Sequence, residues 1–164
     1  MRSFRIPLAL AAFMAAAPAA HAATASGQLT VQATVVDTCA VANATLDFGP
    51  VNPGTGSAGP TTGAINVTCS LGTPFSVGLD NGANLSGGKR RMRRGATTDY
   101  LNYELYKDVT LLNRLGDTGS SDRVTGLTGL GLTANSVPLY GAVESGQSAG
   151  GGSYSDTVQI IVRF

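Results

Sequence analysis

The side chains that could do chemistry are few, and their spacing decides most of what they can do. His21 is the only histidine. It lies in a leader, so the exported chain keeps no group that titrates near neutrality apart from a free thiol. The two cysteines, Cys39 and Cys69, lack the C-x-x-C spacing of a redox pair, and no histidine is left to complete a metal set. An even count in an exported chain predicts one disulfide, closing a loop of about 31 residues worth roughly 3.5 kcal/mol in the chain-entropy model. Three stretches imitate catalytic or nucleotide motifs. The Gly54, Gly56, Gly59 pattern sits between Pro53 and Pro60 with no helix to receive a phosphate. Gly146-Gln147-Ser148-Ala149-Gly150 has nucleophile-elbow spacing but no histidine base, and Ser86-Gly87-Gly88-Lys89 has glycines where a helix is needed. These patterns predict no catalytic residue, no metal and no cofactor: the chain reads as a non-enzyme.

One charged cluster stands out. The run 89–94 holds Lys89, Arg90, Arg91, Arg93 and Arg94, a candidate contact for an acidic polymer or lipid headgroups, weighed against a solvated loop tip after Gly87-Gly88.

Residues 1–22 have the anatomy of an export signal: Arg2 and Arg5, an apolar run at 6–17, Pro18, and an Ala20-His21-Ala22 cleavage site. Cleavage predicts a chain starting at Ala23 with no transmembrane span. Two of the 11 basic residues leave with the signal, so nine face 10 acids. A net charge of −1 argues against nucleic acid as a partner.

The elements that must position anything else are strands. All 22 glycines fall after the leader, alongside many Thr, Val and Ser, and no helical period is sustained. Candidate strands fall at 28–36, 45–48, 63–70, 75–80, 101–107, 122–132, 137–143 and 154–164, separated by turn signals such as Asp80-Asn81-Gly82. This spacing predicts an all-β, single-domain β-sandwich. Two strands alternate strictly. Leu29, Val31, Ala33 and Val35 share one face of 28–35, and Val158, Ile160, Val162 and Phe164 share one face near the other end. The first of these can pair with its own domain or with a neighbouring molecule.

The order of short motifs carries a resemblance. Leu46-Asp47-Phe48-Gly49 follows the first cysteine and Val67-Thr68-Cys69 holds the second. Then come Tyr103-Glu104-Leu105-Tyr106-Lys107-Asp108, Pro138-Leu139-Tyr140-Gly141 with Gly146-Gln147, and Tyr154-Ser155-Asp156-Thr157-Val158 running on to Phe164. This succession resembles the spore coat protein U domain of archaic, Csu-type chaperone–usher pilins. Members commonly carry a Trp-Gly pair after the Tyr-x-Leu-Tyr-x-Asp strand, where this chain has Leu115-Gly116 and no tryptophan. The resemblance implies an immunoglobulin-like sandwich lacking one strand and completed by donor-strand exchange. Residues 23–38 would be the donor arm, inserting Leu29, Val31, Ala33 and Val35, and 39–164 the pilin domain. Val158, Ile160, Val162 and Phe164 would line the acceptor groove. Implied partners are a periplasmic chaperone, an outer-membrane usher and neighbouring subunits. The implied role is a cell-surface pilus for adhesion and biofilm formation. The alternatives are a spore coat or matrix protein, and a secreted monomeric sandwich that binds carbohydrate with 29–35 closed on its own domain.

Overall fold

Strict alternation of apolar residues builds two sheets that face each other across one core. The computed structural model describes residues 23–57 and 59–164. The export signal at 1–22 lies outside the described residues. Eight strands occur in chain order: β1 (Cys39–Val41), β2 (Thr61–Cys69), β3 (Pro74–Leu79), β4 (Arg90–Arg93), β5 (Tyr100–Tyr106), β6 (Val124–Thr128), β7 (Asn135–Val143) and β8 (Ile160–Arg163). One sheet has the order β1-β2-β7-β5-β4 and the other β6-β3-β8, with antiparallel pairing throughout. This is the all-β sandwich that the strand spacing predicts, of the immunoglobulin-like kind that the resemblance implies.

The period of two sets the core. Ile65, Val67 and Cys69 on β2, Leu101, Tyr103 and Leu105 on β5, and Val137, Leu139 and Val143 on β7 point inward from the larger sheet. Phe75, Val77 and Leu79 on β3 meet them from the smaller one. Leu115 is fully buried in the same core, donates its N–H to the Leu105 carbonyl (2.8 Å) and accepts from Arg90 through its own carbonyl.

Cys39 stands opposite Cys69 in the β1–β2 register, and the two form a disulfide. The bridge fastens the first residues of the body to the end of β2.

Four expectations need correction. Residues 28–36 form no strand here, and Leu29, Val31 and Val35 are 87, 82 and 89% exposed. An isolated strand has no ladder to satisfy its peptide groups, so water serves instead. Residues 45–48 run beside the core without strand pairing, although Leu46 and Phe48 pack inward. The strand expected over 122–132 is shortened to β6 by the tight turn Ser120–Asp122 at its start and by the turn that the Leu130–Thr133 bridge closes at its end. The strand expected over 154–164 is β8 alone, because the preceding residues cross from one sheet to the other.

Candidate functional site

That crossing makes the most unusual feature of the body. Ser155 pairs with Arg93 at the edge of β4, exchanging hydrogen bonds of 2.8 and 3.0 Å. Further on, the Thr157 carbonyl accepts from Ala83 N–H (3.1 Å) and the Gln159 carbonyl from Asp80 N–H (3.0 Å). β8 then pairs with β3, Leu79 opposite Ile160 and Ser76 opposite Arg163. The odd-numbered residues Ser155 to Gln159 therefore spend their peptide groups on one side. Alternation along an antiparallel strand turns those of Val158, Ile160 and Val162 to the other side. Among the described residues no strand lies there, and β8 is the edge strand of its sheet.

The unpaired edge borders an open groove of about 500 Å³. Residues 44–48 form its far wall and 154–160 the near one, with Ile65, Leu79, Tyr103, Leu105 and Leu139 in the floor. Of the floor residues, Ile65, Tyr103, Leu105 and Leu139 lie on the inner face of the five-stranded sheet and Leu79 on that of the smaller one. Two glycines place the far wall. A Cβ on Gly141 would lie 2.6 Å from Leu46 Cδ2 and 2.9 Å from Phe48 Cε1, and one on Gly63 would lie 2.9 Å from Leu46 Cδ1. Bare backbone at these two points lets Leu46 and Phe48 settle onto the sheet. Phe48 meets Tyr103 edge-on, with ring centroids 5.8 Å apart.

Polar contacts hold the near wall. Tyr103 Oη donates to Asp156 Oδ2 (2.7 Å), while Asp156 Oδ1 accepts from Ala83 N–H and Asn84 Nδ2. Burial, then the Asp156 contact, pushes the Tyr103 phenol far above its ordinary pKa, so it remains a donor. Asp80 anchors Gln159 through both its backbone and its carboxylate. Asp117 ties down the far end of β8, accepting from Arg163 Nη2 (2.6 Å) and Arg123 Nε (2.5 Å). A second cavity of about 440 Å³ continues the groove between 46–53 and 149–154.

The arrangement is apolar, elongated and edged by unpaired main chain. It suits an extended peptide, which would gain ladder hydrogen bonds as well as side-chain burial. Catalytic geometry is another matter: the elbow-like serine Ser148 lies in the 146–150 loop, where Gln147 is the residue with a structural task. Its amide bonds Asn102 N–H and the Asn102 and Glu144 carbonyls. Among the described residues no group of three His, Cys, Asp or Glu side chains could hold a metal ion.

The sequence profile of the Spore Coat Protein U domain matches residues 25–161. The chain belongs to that family. The chain is 38% identical over 173 residues to Protein U of Myxococcus xanthus, covering 94% of this chain and 93% of that one. In structure, the chain is similar to the CsuC–CsuE chaperone–tip adhesion subunit pre-assembly complex from archaic chaperone-usher Csu pili of Acinetobacter baumannii. The match has a TM-score of 0.56 and 26% identity over 80% of this chain, which spans 41% of the chain it matches.

The remaining predicted residues of this Spore Coat Protein U domain fall in different places. Val158 and Ile160 are together on the groove wall, half-buried, with half-buried Val162 and exposed Phe164 continuing β8 past it. The basic run is corrected most. Its central residues Arg90–Arg93 form strand β4 rather than a loop tip, and Arg90 is fully buried. The Arg90 guanidinium is paired with Glu104 and donates to the carbonyls of Leu79, Asp80 and Leu115. Glu104 also accepts from Arg114 Nε (2.7 Å). Desolvation lowers the Arg90 pKa, opposed by Glu104. Lys89 pairs with Glu144 and Arg94 with Asp99, while Arg91 lies over the Tyr100 ring at 4.0 Å and Arg93 donates to the Ala96 and Thr97 carbonyls. Arg90 cannot reach a polyanion, and the other four already have partners. Leu46, Phe48, Gly63 and Gly141 are site residues that sequence reasoning left unassigned. Their signal was the Leu-x-Phe alternation beside Gly in otherwise apolar strands.

Proposed function

We propose that this Spore Coat Protein U domain is an exported structural subunit of an archaic chaperone–usher pilus. Its body accepts a strand from one neighbour, and its own residues 23–38 supply a strand to the next. The single observation that carries the reading is the unpaired edge of β8 above an apolar groove. An exposed arm with matching alternation supports it. Leu29, Val31 and Val35 gain about 1.5–3 kcal/mol each on burial and Ala33 less, roughly 5–9 kcal/mol together. Ordering the arm costs about 1 kcal/mol or more per residue, so the exchange depends on main-chain pairing in a groove that is already formed.

An unfilled groove with a bare sheet edge is prone to aggregation. That hazard is the reason to expect a periplasmic chaperone before assembly and an outer-membrane usher to exchange it for the next subunit. The likeness to a chaperone–subunit complex supports the chaperone among these partners. The fibre would stand on the cell surface and serve adhesion and biofilm formation. The Cys39–Cys69 bridge would carry tension from the arm into β2.

The full-length similarity to Protein U favours a second reading, a coat or matrix component assembled through the same groove. A secreted monomer binding carbohydrate is the competing class. Size-exclusion chromatography of the chain from Ala23, with and without residues 23–36, separates them. The pilin reading expects concentration-dependent association that disappears without the arm, and binding of a synthetic arm peptide by the shortened chain. A monomer indifferent to concentration, with no affinity for the peptide, contradicts it.

A further inference from the structure

Three leucines stand in solvent at the end of the body where the arm begins. Leu71 occupies the turn between β2 and β3, and Leu130 and Leu132 the turn between β6 and β7. Leu71 is 81% exposed and Leu132 104%. The two turns are fastened together, Gly72 N–H donating to the Gly129 carbonyl (2.9 Å) and Gly131 N–H to the Cys69 carbonyl (3.0 Å). A Cβ on Gly131 would lie 3.5 Å from Leu71 Cβ. Singly exposed leucines need no explanation, but three on two mutually bonded turns form a patch.

The same turn clamps the root of the arm. Ser70 N–H donates to the Thr38 carbonyl (2.9 Å) and Thr38 N–H to Ser70 Oγ (3.1 Å). Thr73 Oγ1 donates to Asp37 Oδ1 (2.7 Å), and the disulfide follows at Cys39. The arm is therefore fixed to the body from Asp37 onward, two residues after Val35.

We propose that Leu71, Leu130 and Leu132 form a docking face for a second copy of this chain, seated on that copy's rim between 46–53 and 149–154. The proposal rests on the donor-arm reading above. Two peptide units reach at most about 7 Å. A Val35 buried in a neighbour's groove thus holds Asp37, and the leucine-bearing turn bonded to it, against that neighbour's surface. Topology selects the rim. Pairing of Ser76 with Arg163 puts the end of β8 at the leucine-bearing pole, near Pro74. An arm rooted at that end of its neighbour would set like pole on like pole and close a pair. Rooted at the opposite end, it chains head to tail without closing. The opposite end is where the second cavity opens, lined by Phe48, Val51, Pro53 and Tyr154 among others. The apolar tips of one pole would meet, at the other, the apolar side chains of a recess that also exposes the polar main chain of 150–153.

The test uses the chain from Ala23 with Leu71→Asp and Leu132→Asp together, beside Leu112→Asp as an exposed leucine elsewhere. Two quantities are read: affinity for a free peptide of residues 25–36, and lifetime of assembled polymers after dilution. The expected result is unchanged peptide affinity, with polymers of the double variant dissociating at least about tenfold faster. Leu112→Asp should change neither. Polymer lifetimes equal to the parent's overturn the docking face while leaving the donor arm standing, as does loss of peptide affinity in the double variant. A peptide that binds no form of the chain overturns the donor arm and this contact with it. For the rim, a chain carrying Leu132→Cys and Gly151→Cys should give a non-reducible-by-dilution ladder of crosslinked subunits on oxidation. Polymers that form without crosslinking place the contact elsewhere and overturn the assignment.

Discussion

β7 and the segment 158–164 carry the same kind of sequence, apolar residues at every second position, yet they end in different circumstances. β7 has β2 on one side and β5 on the other, and its Val137 is 2% exposed. Among the described residues, β8 has β3 on one side and no strand on the other; Val158, Ile160 and Val162 are only half-buried, and Phe164 is 63% exposed. Alternation specifies which face of a strand is apolar. It does not specify whether a partner in the same chain will cover that face. The difference between these strands is the structural content of the proposed function.

The largest expected effect probes the closed half of the comparison. Glu104→Ala leaves the fully buried Arg90 without its counter-charge and should cost about 3–5 kcal/mol, read from urea unfolding. Because the groove floor belongs to the same sheet, this variant should also bind no arm peptide. A cost below about 1 kcal/mol would mean that water reaches Arg90 and the closed half is less closed than described.

Next in size is the direct contrast between the strands. Leu139→Ala, on β7, should cost about 2–5 kcal/mol in the isolated chain. Ile160→Ala should cost distinctly less there, since its side chain already meets solvent. Adding saturating arm peptide should raise the Ile160 penalty toward that of Leu139. Equal penalties without peptide would break the contrast.

A smaller effect concerns pH at the end of β8. Hydrogen bonds from Arg163 and Arg123 hold the Asp117 carboxyl at about 2, below its ordinary 3.8. A depressed pKa gives stability that is present above the unfolded value and is lost as pH falls through the folded one. Wild-type stability should therefore drop between about pH 4 and pH 2 by more than that of Asp117→Asn, measured by thermal unfolding across that window. Parallel pH profiles would remove Asp117 as the anchor of β8.

The smallest effect lies on β4. Lys89→Gln with Arg94→Gln should shift elution from heparin little, because both cations already face carboxylates at Glu144 and Asp99. A large, salt-sensitive loss of retention would restore the basic run as a contact surface.

How far the sequence foretold this molecule depends on the range of the interaction concerned. Strands β2, β3, β5 and β7 were legible because apolar periodicity is local, and the disulfide because an exported chain with two cysteines has one simple use for them. Strands β1 and β4 were not. β1 is three residues long and is fixed by its bridge to Cys69. β4 reads as a charged loop because its decisive partner, Glu104, lies 14 residues away on β5. The groove was half legible. Its near wall showed as the alternation from Val158, while its far wall depends on Leu46 and Phe48 resting over Gly63 and Gly141, a contact between segments distant in sequence. Whether 28–36 pairs at home or abroad is not a property of those residues alone, and no local pattern can hold it.

Amide hydrogen exchange at Val158, Ile160 and Val162 tests the central claim most directly, measured in the dilute chain and again in its polymers. These three amides should exchange quickly in the monomer, as the N–H groups of an open strand edge, and become protected on assembly to the level of β7. Protection already complete in the dilute monomer, with residues 29–35 equally slow, would mean that the chain fills its own groove.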